Sequence, residues 1–420
     1  MVGGGIAGLA AAHRATELAR ERGVAVELTL LEARDRLGGT IETERVDGFV
    51  VEAGPDSFLS EKPAGLALCR RLGLEERLVR TDDRFRQVWV WHRGRLHPLP
   101  DGFQLLAPTR LAPFLASSLF SWPGKARMAL DLVLPRGGGG DESLGAFVRR
   151  RLGREALERV AQPLVAGIYT ADPDELSLAA TMPRFLEVER AHRSIILGLW
   201  HASRRAPQPG TSGARWSLFV TFARGMSELV EALAGRLPAG AARLLRYVDP
   251  SLCTLLGEIT YASSATVSLG YGRADVRHAL DGFGFVVPRG EGKALLACTF
   301  SSVKYPGRAP EGAVLLRGFL GGALGGAVLD EDDGALVARV RAELAQALGI
   351  TAEPRLVRVR RHPASMPQYA IGHPARIDTI DRRLASVPGL ALAGSAYRGV
   401  GIADCVASGE SAAERVLGAS

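Results

Sequence analysis

The chain has 420 residues, enough for two or three domains and a large core. Hydrophobic residues make up 47% and charged residues 23%, an ordinary globular balance. The formal charge of +7 admits an acidic partner, but no dense Lys/Arg run with interleaved aromatics exists, which argues against nucleic acid.

The first element is a G-x-G-x-x-G run at Gly3, Gly5 and Gly8, with Ile6 and Ala7 between. An Ala-rich helix and an apolar strand ending Leu28-Thr29-Leu30-Leu31-Glu32 follow. This is the order of a dinucleotide-binding turn. Glycines allow a tight turn and close backbone approach, and the helix N-terminus offers free N–H groups to phosphate. Glu32 stands where a ribose hydroxyl is usually received. Only two residues precede Gly3, where a lead-in strand is expected. No charged leader precedes the turn, so no signal peptide is expected.

Next come Ala33, Arg36, Gly38, Gly39 and Thr40. An acid ending a strand, then a basic residue and a second glycine pair, suits the long FAD molecule rather than NAD. Arg36 can reach the pyrophosphate. A strand pair is expected around 41–51 with an Asp47-Gly48 hairpin, followed by the loop Gly54-Pro55-Asp56-Ser57. A helix is expected over 63–74. Val88 to Trp91 reads as a strand turning at Arg93-Gly94. Residues 108 to about 201 are mostly helical, with Ser143 capping a helix over 144–152. Strands are expected at 216–222, 265–271, 283–288, 294–300 and 313–320, and helices at 227–237 and 334–348. Asp330-Glu331-Asp332-Asp333-Gly334 lacks calcium-loop spacing and reads as a helix entry. A strand at 391–394 leads through Gly394 into Val400, Gly401, Ile402 and a last helix. That helix's dipole can stabilise the electron-rich edge of a reduced flavin.

The four cysteines are far apart with no C-x-x-C, and the histidines are scattered, so neither a metal site nor a disulfide framework is expected. No window is long and apolar enough for a transmembrane helix. The pattern reads as an α/β fold with α+β inserts: a discontinuous, Rossmann-like FAD-binding domain (1–72, 212–255, 376–420), a mixed-sheet substrate domain (73–107, 256–375) and a helical lobe (108–211).

The three glycine elements resemble the FAD-dependent amine-oxidase-like superfamily. Within it, Glu52-Ala53-Gly54-Pro55-Asp56-Ser57-Phe58-Leu59, Ala166-Gly167-Ile168-Tyr169-Thr170-Ala171-Asp172, Gly282-Phe283-Gly284-Phe285-Val286-Val287-Pro288, Met366-Pro367-Gln368-Tyr369 and Ala396-Tyr397-Arg398-Gly399-Val400-Gly401 resemble the porphyrinogen oxidase branch. The resemblance implies oxidation of protoporphyrinogen or coproporphyrinogen with oxygen as acceptor, giving peroxide, in haem synthesis. It implies that Phe283 and Val286 line an apolar slot, that Phe319 stacks on a pyrrole and that Gly167 opens backbone access. Arg86 is the nearest basic residue to the family's carboxylate contact. A bacterial cytoplasmic protein is implied, with contact of the lobe at the inner membrane face, and a homodimer. No general base stands out.

The chain also departs from the family. A β-meander and a further strand expected near 241 are missing, which weakens the adenine pocket. A trimmed, non-catalytic homologue with weak FAD binding is therefore a second expectation. An amine or carotenoid oxidoreductase of the same fold is a third.

Overall fold

The computed structural model describes residues 1–104, 106–205, 218–237 and 250–418. The junction near 241 lies outside them.

A seven-stranded mixed sheet forms the centre. From one edge its strands are Leu356–Pro367, Tyr261–Gly272, Ala313–Gly321, Leu295–Phe300, Gly284–Val286, Val88–His92 and Arg95–Pro98. All neighbours are antiparallel except Gly284–Val286 with Val88–His92, which run parallel. Apolar residues at every second position explain both faces. Val267, Leu269, Leu316, Phe285 and Phe300 pack on Leu336, Val340 and Leu344 of the helix Asp333–Leu348. Asp332 caps that helix by accepting the Ala335 N–H at 2.8 Å, so the acidic run is a helix entry. Val286, Ala297 and Phe319 point the other way, into the helical lobe.

The expected hairpins form as Thr43–Val46 with Phe49–Glu52 and as Val88–His92 with Arg95–Pro98. Their turns put Asp47-Gly48 and Arg93-Gly94 at positive φ, 50° and 78°, then 52° and 73°. Two positive φ values match the strands' right-handed twist. The strand Leu356–Pro367 was not expected; its run of arginines hides an alternating pattern.

Two expected strands differ. Residues 24–30 run without a ladder, and Leu31 is joined only by the parallel bridge to Val2. Residues 391–394 also lie outside any strand. A parallel strand needs neighbours to satisfy its N–H and C=O groups. Among the described residues the Gly3 N–H, the Met1 carbonyl and the N-terminal amine supply only a few such bonds to 29–31. The two helices of this region pack instead on each other. A Cβ on Gly409 would lie 2.1 Å from the Ala7 carbonyl oxygen, so Ile6–Arg22 and Ile402–Val416 meet at backbone distance.

Candidate active site

The helix Ile6–Arg22 begins directly after the glycine turn. Gly5 is its extended N-cap, no side chain caps it, and its first turn carries no acid. Its uncapped N–H groups suit an anion. A Cβ on Gly8 would sit 1.9 Å from the Gly3 carbonyl oxygen, so this position requires glycine. The second glycine pair closes on the first: Gly38 N–H donates to the Gly4 carbonyl at 2.8 Å, and a Cβ on Gly39 would lie 3.2 Å from the Gly5 Cα. Glu32 stands beside this cradle, accepting the Gly4 N–H at 2.6 Å and the Arg34 N–H at 2.9 Å. Burial pushes its carboxyl up, but those backbone donors outweigh it and hold the pKa below the ordinary value. Arg36 folds onto its own loop, donating to the Gly39 carbonyl at 2.7 Å and pairing with Glu42 at 3.0 Å. Thr40 meets the next element, since a Cβ on Gly54 would lie 1.8 Å from its carbonyl oxygen. An uncapped helix end, a glycine cradle and an ionised acid fit a flavin dinucleotide.

The loop from Ala53 to Ser57 rests on buried charges. Glu52 pairs with Arg308 at 2.9 Å, both nearly fully buried. Burial raises the Glu52 carboxyl and Arg308 opposes the rise. Asp56 pairs with Lys304 at 3.3 Å and accepts the Ser57 hydroxyl at 2.6 Å. Burial would raise its pKa, but Lys304 first and Arg317 next hold it at about 2. The Ala53 carbonyl accepts from Arg317 at 3.0 Å and pairs with His362 Nε2 at 2.9 Å. Arg317 lies over the Phe319 ring, 4.9 Å from its centroid, and its buried Nε has no partner among the described residues.

The C-terminal glycine segment is tied down from the sheet side. Tyr369 hydroxyl donates to the Ser395 carbonyl at 2.6 Å and accepts the Gly399 N–H at 2.8 Å. His373 stacks on Tyr369 at 4.1 Å and bonds the Tyr397 carbonyl through Nε2 at 2.9 Å. Gly394 N–H donates to Ser408 at 3.1 Å. Gly401 caps the helix Ile402–Val416, with Asp404 receiving its N–H at 3.2 Å and Lys62 Nζ at 2.6 Å. Sequence reasoning gave Lys62, Lys304, Tyr369 and His373 no role. The four lysines among 52 basic residues were a usable signal for two of them.

Val400, Phe319, Val286, Ala297 and Tyr369 share one apolar cluster, so the sheet face meets the segment that starts the last helix. Gly167 lies on the helix Gln162–Tyr169; a Cβ there would lie 4.0 Å from the Ala297 side chain. Gly167, Val286 and Phe319 are thus brought together. Phe283 is half-buried and joins none of the apolar clusters. Arg86 is also apart: its guanidinium is exposed and pairs with Asp83 at 2.7 Å. Phe283, whose N–H donates to the Gln87 carbonyl at 2.8 Å and whose carbonyl accepts the Phe300 N–H at 2.9 Å, has the opposite parity to Val286 in the pleat, and Arg86 ends the single turn Asp83–Phe85 ahead of its strand.

The family model for flavin containing amine oxidoreductase matches residues 6–248 and 237–417. A coproporphyrinogen III oxidase of Bacillus subtilis (strain 168) is 36% identical, covering 99% of this chain and 97% of its own length. That alignment runs over 458 positions, longer than this chain, so the relative carries residues that this chain lacks. Protoporphyrinogen oxidase 1 of Arabidopsis thaliana is 30% identical over 97% of this chain and 85% of its own. A solved chain from Exiguobacterium sp. 255-15 superimposes with a TM-score of 0.84 at 32% identity, covering 98% of this chain and 97% of that one. The reduced UDP-galactopyranose mutase, at 15% identity and a TM-score of 0.70, shares the fold. The chain belongs to the flavin containing amine oxidoreductases, in the branch of the porphyrinogen oxidases.

Proposed function

We propose that this flavoenzyme oxidises a porphyrinogen, coproporphyrinogen III or protoporphyrinogen IX, to the porphyrin in haem biosynthesis, with oxygen as acceptor and peroxide as product. The observation that carries the reading is the apolar meeting of Phe319, Val286, Ala297 and Gly167 with Val400 at the entry to the last helix. Two-electron acceptor chemistry comes from FAD when it is bound. Gly3, Gly5, Ile6, Ala7, Gly8, Gly38, Gly39 and Thr40 cradle its phosphates, and Glu32 and Ala33 lie at the ribose. Gly54 to Ser57, Gly394, Val400, Gly401 and Ile402 border the ring end. The slot residues orient a flat apolar macrocycle and exclude water. The seven-stranded sheet serves as the substrate unit, the glycine elements as the cofactor unit, and the helices within 108–205 as a lobe packed on the sheet.

The lobe exposes Leu111, Trp122 and Val133, each about two-thirds accessible, beside Arg110 and Arg127. No helix among the described residues is long and apolar enough to cross a membrane. The exposed apolar residues support peripheral contact of the lobe with a membrane surface.

The test is to desalt the purified chain, record its visible spectrum and add each porphyrinogen. Flavin bands with peroxide release are expected. A folded, colourless protein would favour a second reading, a trimmed homologue with weak FAD binding. That reading is supported by the unladdered residues 24–30, with Val24 56% and Val26 38% exposed just past the C-terminal end of the helix Ile6–Arg22.

A further inference from the structure

A 270 Å³ cavity opens between the helix Gln162–Tyr169, the turn joining Gly284–Val286 to Leu295–Phe300, and the glycine-rich segment 321–328. It abuts the slot. Ala166 and Thr170 line it from the helix that carries Gly167. Val287 and Leu296 line it from the hairpin, one residue beyond the paired Val286 and Ala297. Its walls are mostly apolar and include no acid, but two cations, Arg289 and Lys293, stand in them.

Neither cation has an acidic partner among the described residues, and Arg289 is exposed at the cavity rim. Arg289's guanidinium has no hydrogen bond or ion pair among the described residues, while its backbone N–H is fixed by Gln162 Oε1 at 2.9 Å. Lys293 Nζ donates to the neutral Gln346 Oε1 at 2.7 Å and lies 5.0 Å from the Trp91 ring centroid. The acid on the same turn, Glu291, is taken by His92 Nδ1 at 2.8 Å and the Arg93 N–H at 3.0 Å. Positive charge without a carboxylate partner, at the end of an apolar cavity, selects a ligand with an apolar body and an anionic tail. Arg86, the cation expected from the sequence, is instead paired with Asp83.

We propose that this cavity is a carboxylate subsite, in which Arg289 and Lys293 receive a propionate of a tetrapyrrole whose ring occupies the neighbouring slot. The inference rests on the porphyrinogen reading, and it favours the substrate with more propionates. Coproporphyrinogen carries four and protoporphyrinogen two.

The test is equilibrium binding to the flavin-loaded protein, read by porphyrin fluorescence. The probes are coproporphyrin III and its uncharged tetramethyl ester. The variants are the double substitution Arg289→Glu with Lys293→Glu and the conservative pair Arg289→Lys with Lys293→Arg. Reversing both charges should weaken coproporphyrin III about tenfold, more than exposed ion pairs alone account for, and leave the ester within about twofold. The conservative pair should restore most of the affinity. Equal binding of coproporphyrin III by the charge-reversed and unaltered proteins would overturn the subsite, as would an equal loss for the ester. Failure of the unaltered holoenzyme to consume either porphyrinogen would instead overturn the reading beneath it, and the binding comparison decides the subsite separately.

Discussion

Asp56 shows how single charges set the cofactor side. Its carboxyl is held at about 2, below the ordinary 3.8, because Lys304 and Arg317 outweigh burial. A carboxylate with a depressed folded pKa contributes stability above its unfolded pKa and loses it as pH falls toward the folded value. Lys304→Met should therefore move the acid-unfolding midpoint upward, as followed by tryptophan fluorescence; an unmoved midpoint would remove Lys304 from this role. Tyr369 makes a different kind of contribution. Tyr369→Phe leaves the Gly399 N–H without its acceptor at 2.8 Å. A buried unmade bond costs about 1–3 kcal/mol, so a lower melting temperature and faster flavin loss on dialysis are expected.

At the scale of elements, the helical lobe and the glycine turn are fixed by opposite means. The lobe is pinned by ions. Arg151 and Asp131 are both fully buried and joined at 2.5 Å, Ser194 donates to Asp131 at 2.6 Å, and Arg151 also reaches the Arg193 carbonyl at 2.7 Å. Asp131→Ala would leave the buried guanidinium only Glu189 at 3.5 Å as an acidic partner and should cost about 3 kcal/mol, at the low end for breaking a buried pair, measurable by urea denaturation. The glycine turn is pinned by the absence of side chains. Gly8→Ala would place a methyl 1.9 Å from the Gly3 oxygen, forcing the helix off the turn. The purified variant should emerge from desalting with most of its flavin absorbance gone while its far-ultraviolet dichroism is kept. Retained colour would show that the turn tolerates the shift.

The whole molecule should tolerate acid poorly. Burial lowers the pKa of His278, His362 and His373 while backbone and aromatic neighbours surround them. Each then takes up a proton more readily unfolded than folded, so stability falls as pH drops below about 6.5. Melting temperatures recorded across that range should decline steadily, and a flat profile would contradict the buried neutral rings. The same scale separates what was legible from what was not. The glycine spacings, Glu32, the positive-φ hairpin turns and the family motifs are local signals, readable because each is set by residues within a few positions. By themselves they determined the flavin cofactor, the porphyrinogen branch and most elements. The pairing of Lys304 with Asp56, Tyr369's hold on Gly399 and the cavity at Arg289 and Lys293 join elements far apart in the chain. Only the tertiary structure decided them, because side-chain direction and long-range charge proximity arise from packing and not from sequence spacing.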